Sequence, residues 1–418
     1  MAFGTNKSDF EERVNVSRMR AYRTQRAREA LKKHDLAAIL SFTPDSIQYL
    51  TVGPSVGGTA GTGNRYALFP VEGEPILFES GMWEANISQG NPTLDVRPMI
   101  PAFGWYQSGL ALNNGAMSNQ IKKFAQQIAS ALREKGLLGE KIGCDANLGP
   151  EVLAALEKEG VRFSPNGLRA MMEARKIKSQ DEIECLRITA TIVEACFSQV
   201  KRTIRPGVTE DEIMAVVAQT AFRCGAEDMD IHVDTGRHTW TNMAFHTNAM
   251  IRPGDLVFLD IYNLSWLGYK SCYYRTFSCG EPTKAQRKCF SEVRDWLRNG
   301  IAAIKPGATT AEVAKHWPTA PSFGRPNEDA AVLMQWGHGI GLTLYEPPLI
   351  SRIWSEEYPE VFEEGMTMAL ETIGPTNEIT NEYPIGQGVR IEDMIYVTKD
   401  GVEFLSRWPV DELIVCPL

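Results

Sequence analysis

The sequence predicts an α/β domain over residues 1–175 followed by an α+β domain over residues 176–418, and three observations carry that reading. Helix and strand signals alternate through the first part. The texture changes near residue 175, where a helix-opening motif introduces a long, apolar-striped segment. The second part then repeats one piece of local punctuation, which divides it into two similar α/β halves.

Arg18 to Lys33 is a charged amphipathic stretch that reads as a helix, and the apolar run Leu36 to Phe42 reads as a strand. A second strand pair, Tyr66 to Phe69 and Pro75 to Phe78, brackets the turn Glu72-Gly73-Glu74, giving the layered pattern of an α/β domain. The domain boundary belongs near Ala174 to Ser179. Ser179 and Glu182 form a capping box, in which hydroxyl and carboxylate satisfy opposing N–H groups at a helix start. The helix it opens carries Ile183, Leu186, Ile188, Ile192 and Ala195, and is expected to end before Pro206-Gly207. Ile204-Arg-Pro-Gly-Val-Thr209 with Glu212 then recurs as Ile304-Lys-Pro-Gly-Ala-Thr309 with Glu312. Each copy stops one helix with Pro-Gly and opens another with a Thr-x-x-Glu box.

Composition narrows the class of protein. At 418 residues, with 43% hydrophobic and 23% charged residues, the chain can build two or three cores of ordinary globular type. A net charge of −9 argues against nucleic-acid binding, which calls for a basic face. No apolar run approaches the length of a membrane span. The first residues carry neither a basic nor an apolar leader segment, and the eight cysteines are scattered without a Cys-x-x-Cys pair. Both features predict a cytoplasmic protein with reduced thiols.

The chemistry-bearing residues lie in the last 160 or so positions. Asp260 ends the apolar run Leu256 to Leu259 and is expected at a strand end, with Arg275-Thr-Phe277 on the next extended stretch. His338 sits among glycines in Gly337-His-Gly-Ile-Gly341, where bare backbone permits close approach to a ligand. Glu371 follows Met366 to Leu370 and Glu392 follows Val389 to Ile391, both strand-like. Any one of these is ordinarily a hydrogen-bonded structural group; together they suit one divalent ion, which takes oxygen and nitrogen donors. Aromatic residues crowd the same segments: Trp240, Tyr262, Trp266, Tyr269, Tyr273, Tyr274, Trp336 and Tyr345. Strand aromatics are ordinarily core, but a cage of π faces would hold a quaternary ammonium, sulfonium or guanidinium group.

From about residue 15 to 412 the chain resembles the creatinase/aminopeptidase P/methionine aminopeptidase superfamily, the M24 or pita-bread family. The resemblance rests on Arg175-Lys-Ile-Lys-Ser179 with Glu182-Ile183, on GHGIGL, on the Gly365-Met366 segment ending in Glu371, and on GVRIED around Glu392. It implies a creatinase-like N-terminal domain and a pita-bread catalytic domain. In metal-dependent members the ligand order is Asp, Asp, His, Glu, Glu; Asp260, His338, Glu371 and Glu392 match the first, third, fourth and fifth. Within the superfamily the dimethylsulfoniopropionate lyase branch looks nearest, through Arg18-Met-Arg20 with Arg23, the stretch Leu40 to Thr51, and Leu405 to Asp411.

Several positions depart from the family pattern. The second aspartate falls on Cys272, and the extra aspartate of the lyase branch falls on Tyr262. Tyr345 stands where the peptidases carry a second histidine, and the lyase base is replaced by Leu344 or Tyr345. The bridging carboxylate is thus missing, and an ordinary two-metal site is not expected. Two options remain. Cys272 joins His338, Glu371 and Glu392, with Asp260, around at most one ion (Zn, Fe or Mn), or there is no metal and side chains move protons directly, as in creatinase. Tyr345 would donate a proton or stabilise an oxyanion. His238 and His246 lie where the family carries an upstream histidine, at unusual distances.

The resemblance therefore implies a hydrolase of a C–N bond in a small nitrogenous or zwitterionic substrate. His338, Tyr345, Glu371 and Cys272 are its expected catalytic groups, and Glu392, Tyr262, Trp240, Trp336 and His246 its expected substrate contacts. The alternatives are a dimethylsulfoniopropionate-type C–S lyase, a proline-directed aminopeptidase, and a non-catalytic binding member. Family members are commonly homodimers, with Gly53 to Gly63 and the segment around Trp105-Tyr106 as candidate lids here.

Overall fold

The computed structural model describes residues 13–51, 65–80, 87, 91, 93–102, 104–240, 247–331, 334–376 and 386–418. They fall into two compact units, Asn15–Arg175 and Lys176–Leu418.

The first unit contains helices α1 (Val16–Lys33), α2 (Pro44–Thr51), α3 (Trp105–Gly109), α4 (Asn114–Glu134), α5 (Pro150–Lys158) and α6 (Gly167–Arg175). Its strands are β1 (Ala38–Ser41), β2 (Tyr66–Pro70), β3 (Ile76–Glu79), β4 (Asp95–Pro98), β5 (Lys141–Cys144) and β6 (Arg162–Ser164). They form one sheet in the order β4-β3-β2-β1-β5-β6, with β1 antiparallel to β2 and parallel to β5. Helix α4 shows why such elements form. Asn113 caps it by accepting from the Ala116 N–H at 3.2 Å, and Ile121, Phe124, Ala125, Ile128 and Leu132 recur at helical spacing on its buried face. Phe124 meets Tyr66 edge-on at 5.1 Å, and burying such a ring contributes roughly 2–3 kcal/mol.

The second unit opens with α7 (Gln180–Thr203) and α8 (Glu210–Arg223), followed by β7 (Asp230–Thr235), β8 (Leu256–Trp266) and β9 (Tyr269–Cys279). Then come α9 (Lys284–Ala302), α10 (Thr310–Ala314), β10 (Gly337–Gly339), β11 (Glu346–Ile350) and α11 (Arg352–Glu357). Strands β12 (Thr367–Pro375), β13 (Gly388–Thr398), β14 (Gly401–Phe404) and β15 (Ile414–Cys416) complete it. All three capping boxes read from the sequence form. At α7, Glu182 accepts from the Ser179 N–H at 2.7 Å while Ser179 accepts from the Glu182 N–H. The Thr209/Glu212 and Thr309/Glu312 boxes match one another, and each Thr also makes an isolated bridge to a later segment, Thr209 with Met250 and Thr309 with Val361. The internal echo thus extends from punctuation to tertiary pairing.

Two sheets position the site, β15-β9-β8-β7 and β11-β10-β12-β13-β14. They meet along β9 and β13. The Thr276 hydroxyl donates to the Arg390 carbonyl and accepts from its N–H, both at 2.9 Å. Beside it, the buried Arg275 guanidinium donates to Asp393 at 2.6 Å and to the Glu392 carbonyl. Asp260 does not end its strand as expected. The hairpin continues to Trp266 and turns at Leu267-Gly268, so Asp260, Glu371 and Glu392 all sit mid-strand between the sheets.

Candidate metal centre

Strand register explains how distant residues converge, because cross-strand partners share a face. Asp260 pairs with His232 and with Tyr274, and Tyr262 pairs with Asp230 and with Cys272. One face of the four-stranded sheet therefore carries Asp230, His232, Asp234, Asp260, Tyr262, Cys272 and Tyr274. In the other sheet Glu371 pairs directly with Glu392, and His338 pairs with Ala369, two residues before Glu371. Bulges follow Tyr262 and His338, where they redirect the side chains. The Cys272 sulfur, a His338 ring nitrogen and a Glu392 carboxylate oxygen lie within 4.8 Å of one another, all three residues buried.

The hydrogen bonding of this cluster is one-sided. His338 Nδ1 lies 3.0 Å from the Gly339 carbonyl, which can only accept. The ring therefore carries its proton on Nδ1 and presents a bare Nε2 lone pair. That Nε2, both carboxylate oxygens of Glu392 and Asp260 Oδ1 are buried without a hydrogen-bond partner among the described residues. With the acids ionised all are acceptors, and Glu371 faces Glu392 directly, an arrangement that repels unless a proton or a cation lies close by.

The same crowding holds protons on the acids. Burial, then the charge of Glu371, lifts Asp260 to about 8. Glu371 keeps some surface, yet the surroundings of its carboxyl lift it to about 7, opposed by the Tyr274 hydroxyl donating to Oε2 at 3.0 Å. Burial and the charges of Glu371 and Asp260 hold Glu392 well above the usual carboxylate range. Burial pushes the Cys272 thiol well up and His338 down to about 4. Arg390, on the same strand face as Glu392, is the cation nearby; it donates to the Thr239 and Trp240 carbonyls at 3.4 Å and lies over the Phe258 ring.

The donor set fits a divalent ion: one imidazole nitrogen with a free lone pair, carboxylate oxygens and one sulfur. His338, Glu392 and Cys272 are nearest to one another, and Asp260 and Glu371 flank them. Tyr345 stands half-exposed beside His338, ring centroids 4.4 Å apart, and its hydroxyl accepts from Gln335 at 3.0 Å. Burial lifts its phenol to about 12, so it keeps its proton.

Other expected residues lie elsewhere. Trp336 belongs to the hydrophobic core, stacked on Trp317 at 6.0 Å, and Trp240 packs on Phe323. Tyr273 faces away under α7, edge-on to Phe197, and Tyr269 donates to Glu182. The aromatics beside the site are thus Tyr262, Tyr274 and Tyr345; strand alternation turns Tyr273 away, and Trp240 and Trp336 pack in the core from outside the strands. The glycines around His338 admit the protein itself: a side chain on Gly337 would meet the Ala369 carbonyl, and one on Gly341 the Glu346 carboxylate. His246, the Gly53 to Gly63 stretch and the Trp105 side chain lie outside the described residues. His238 falls on a short turn after β7.

Sequence reading passed over three groups. His232 accepts from or donates to the Tyr262 hydroxyl at 2.8 Å, in parallel planes. The alternation Asp230-Ile-His232-Val-Asp234 before the Asp260 strand was the available signal. Arg390 sat unassigned inside GVRIED. Lys178 forms a fully buried ion pair with Glu346 at 2.6 Å, which no local pattern announces.

Comparison with known proteins identifies the family and the fold. The family profile described as metallopeptidase family M24 matches residues 184–399, and that of the creatinase/prolidase N-terminal domain matches residues 23–173. A probable dipeptidase PepE of Mycobacterium tuberculosis is 29% identical over 250 residues, 58% of this chain and 62% of that protein. The chain thus spans under two thirds of that relative. The Xaa-Pro dipeptidase of Pyrococcus furiosus is 28% identical over 257 residues, 60% and 69% of the two chains. An Xaa-Pro dipeptidase from Bacillus anthracis shares the fold, with a TM-score of 0.72 at 22% identity over 95% of this chain and 99% of that one. Family and fold therefore stand as the motifs implied.

Proposed function

This chain belongs to metallopeptidase family M24, and from that premise we propose that it hydrolyses a C–N bond of a small peptide-like or zwitterionic substrate with the aid of a single divalent ion. One observation carries the reading: the buried acceptors His338 Nε2, Glu392 Oε1 and Oε2, and Asp260 Oδ1 meet no backbone or hydroxyl donor among the described residues, and the Cys272 thiol is the donor beside Glu392. A divalent ion held there would supply Lewis acidity, polarising a carbonyl and acidifying water.

The chain's own residues supply the rest. His338 is fixed in the tautomer that turns its lone pair inward. Glu371, steadied by Tyr274 beside the other acids, is suited to take a proton from water and return it to a leaving nitrogen. Tyr345 accepts from Gln335 and so keeps its own proton for a substrate oxygen. Arg390 places positive charge where a substrate carboxylate would be drawn.

The test is a panel of dipeptides, Xaa-Pro dipeptides included, with guanidino and betaine compounds and dimethylsulfoniopropionate, assayed before and after chelation. Chelator-sensitive release of an amine, abolished in Glu371→Gln, supports the reading. Dimethyl sulfide release would replace it with the lyase alternative, and turnover indifferent to chelation would replace it with metal-free acid/base chemistry. Unaltered ligand binding without turnover would mark a binding-only member. A homodimer is part of the proposal, from the habit of the family.

A further inference from the structure

We propose that Cys272 binds the ion as a thiolate, making this a one-ion, sulfur-containing centre with a preference for zinc, cobalt or cadmium over manganese. The inference rests on the metal-assisted reading above and specifies its ligands.

Geometry and donor chemistry support it. The Cys272 sulfur is buried within 4.8 Å of donor atoms on His338 and Glu392. Those two donors are 1% and 0% exposed; among the described residues no backbone or hydroxyl donor reaches their lone pairs, and the Cys272 thiol beside Glu392 is the donor whose proton an ion would displace. Tyr262 faces Cys272 across the hairpin with its hydroxyl on His232 at 2.8 Å, so a phenol, not a carboxylate, stands at the position of the lyase branch's extra aspartate. One sulfur stands where a carboxylate would offer two oxygens, so the site has one donor atom fewer with which to hold a second ion. One thiolate, one carboxylate and one neutral imidazole then neutralise one dication, and sulfur favours the softer metals.

On binding, the S–H bond breaks, the proton leaves to solvent, and the sulfur electron pair goes to the ion, with no change of oxidation state.

The experiment loads the metal-depleted protein with cobalt(II) and follows the absorption spectrum, then repeats the titration with Cys272→Ser. Zinc-loaded protein is measured by X-ray absorption in parallel. The expected result is a near-ultraviolet sulfur-to-cobalt charge-transfer band at one equivalent, absent from Cys272→Ser, with cobalt binding in that variant at least about tenfold weaker. A zinc–sulfur distance of about 2.3 Å is expected beside shorter nitrogen and oxygen shells. One equivalent of cobalt bound without the band, and bound equally by a Cys272→Ser variant of unchanged circular dichroism, would overturn the thiolate and leave the ion. Failure of the wild-type protein to take up any metal would overturn both.

Discussion

The Nδ1–H of His338 pointing at the Gly339 carbonyl is a small detail that orients the whole site, since it commits the other nitrogen to face inward. Replacing the positions around that nitrogen should therefore have separable effects. Cys272→Asp restores a carboxylate at the place of the family's second aspartate, beside Asp260, His338, Glu371 and Glu392. We expect this variant to take up two ions per chain by elemental analysis, and an unchanged stoichiometry would remove sulfur as the reason for a single one. Tyr345→Phe should lower kcat by about 10²–10⁴-fold with KM nearly constant, as for loss of a proton donor. A change confined to KM would make Tyr345 a binding group. At this scale the sequence was informative where a residue type is rare in its setting. His338 among glycines and Glu371 and Glu392 after apolar runs were visible. His232, Arg390 and Lys178 were not, because their roles depend on partners on other strands.

Secondary-structure elements do the positioning, and strands β9 and β13 do most of it. Arg275 lies under the site with its guanidinium shared among Asp393, Tyr273 and the Glu392 carbonyl, so it fixes the strand that carries Glu392. Arg275→Ala would leave the Asp393 carboxylate buried and unpaired. Such a loss costs about 3–5 kcal/mol, readable as a lowered urea midpoint. A shift under about 1 kcal/mol would mean that water replaces the guanidinium. Three helix starts were legible because a capping box is written within four residues, whereas the Thr283/Gln286 box and the Asn15 and Asn113 caps were passed over. Strand ends were not. Asp260 sits mid-strand because the hairpin continues through Tyr262 and Leu264 into pairing that a single-strand pattern cannot display. Strand β9 is buried on both faces, so its aromatics lack the alternation that would have told Tyr273 from Tyr274.

Across the whole molecule, buried acids make stability depend on pH. Asp234 is lifted to about 7 by burial, with Arg390 pulling it down and Glu210 pushing it up. Its unfolded value is about 3.9, so between about 4 and 7 the folded chain holds the proton more firmly than the unfolded one. Stability contributed by that proton is present at low pH and lost as pH rises through about 7. Asp234→Asn should therefore gain on the wild type between pH 4 and 8 in urea unfolding; parallel curves would deny Asp234 that role. The two-unit architecture and the paired halves of the second unit were legible because punctuation repeats along the chain. The site was legible only as a set of residue types, since its geometry arises from register between two sheets. Its central feature is a surplus of buried acceptors that one cation would satisfy. The most direct test is elemental analysis by mass spectrometry on protein purified without a metal-affinity column. The account predicts about one equivalent of zinc or a similarly soft divalent metal per chain. Two equivalents, or none after reloading, would contradict it.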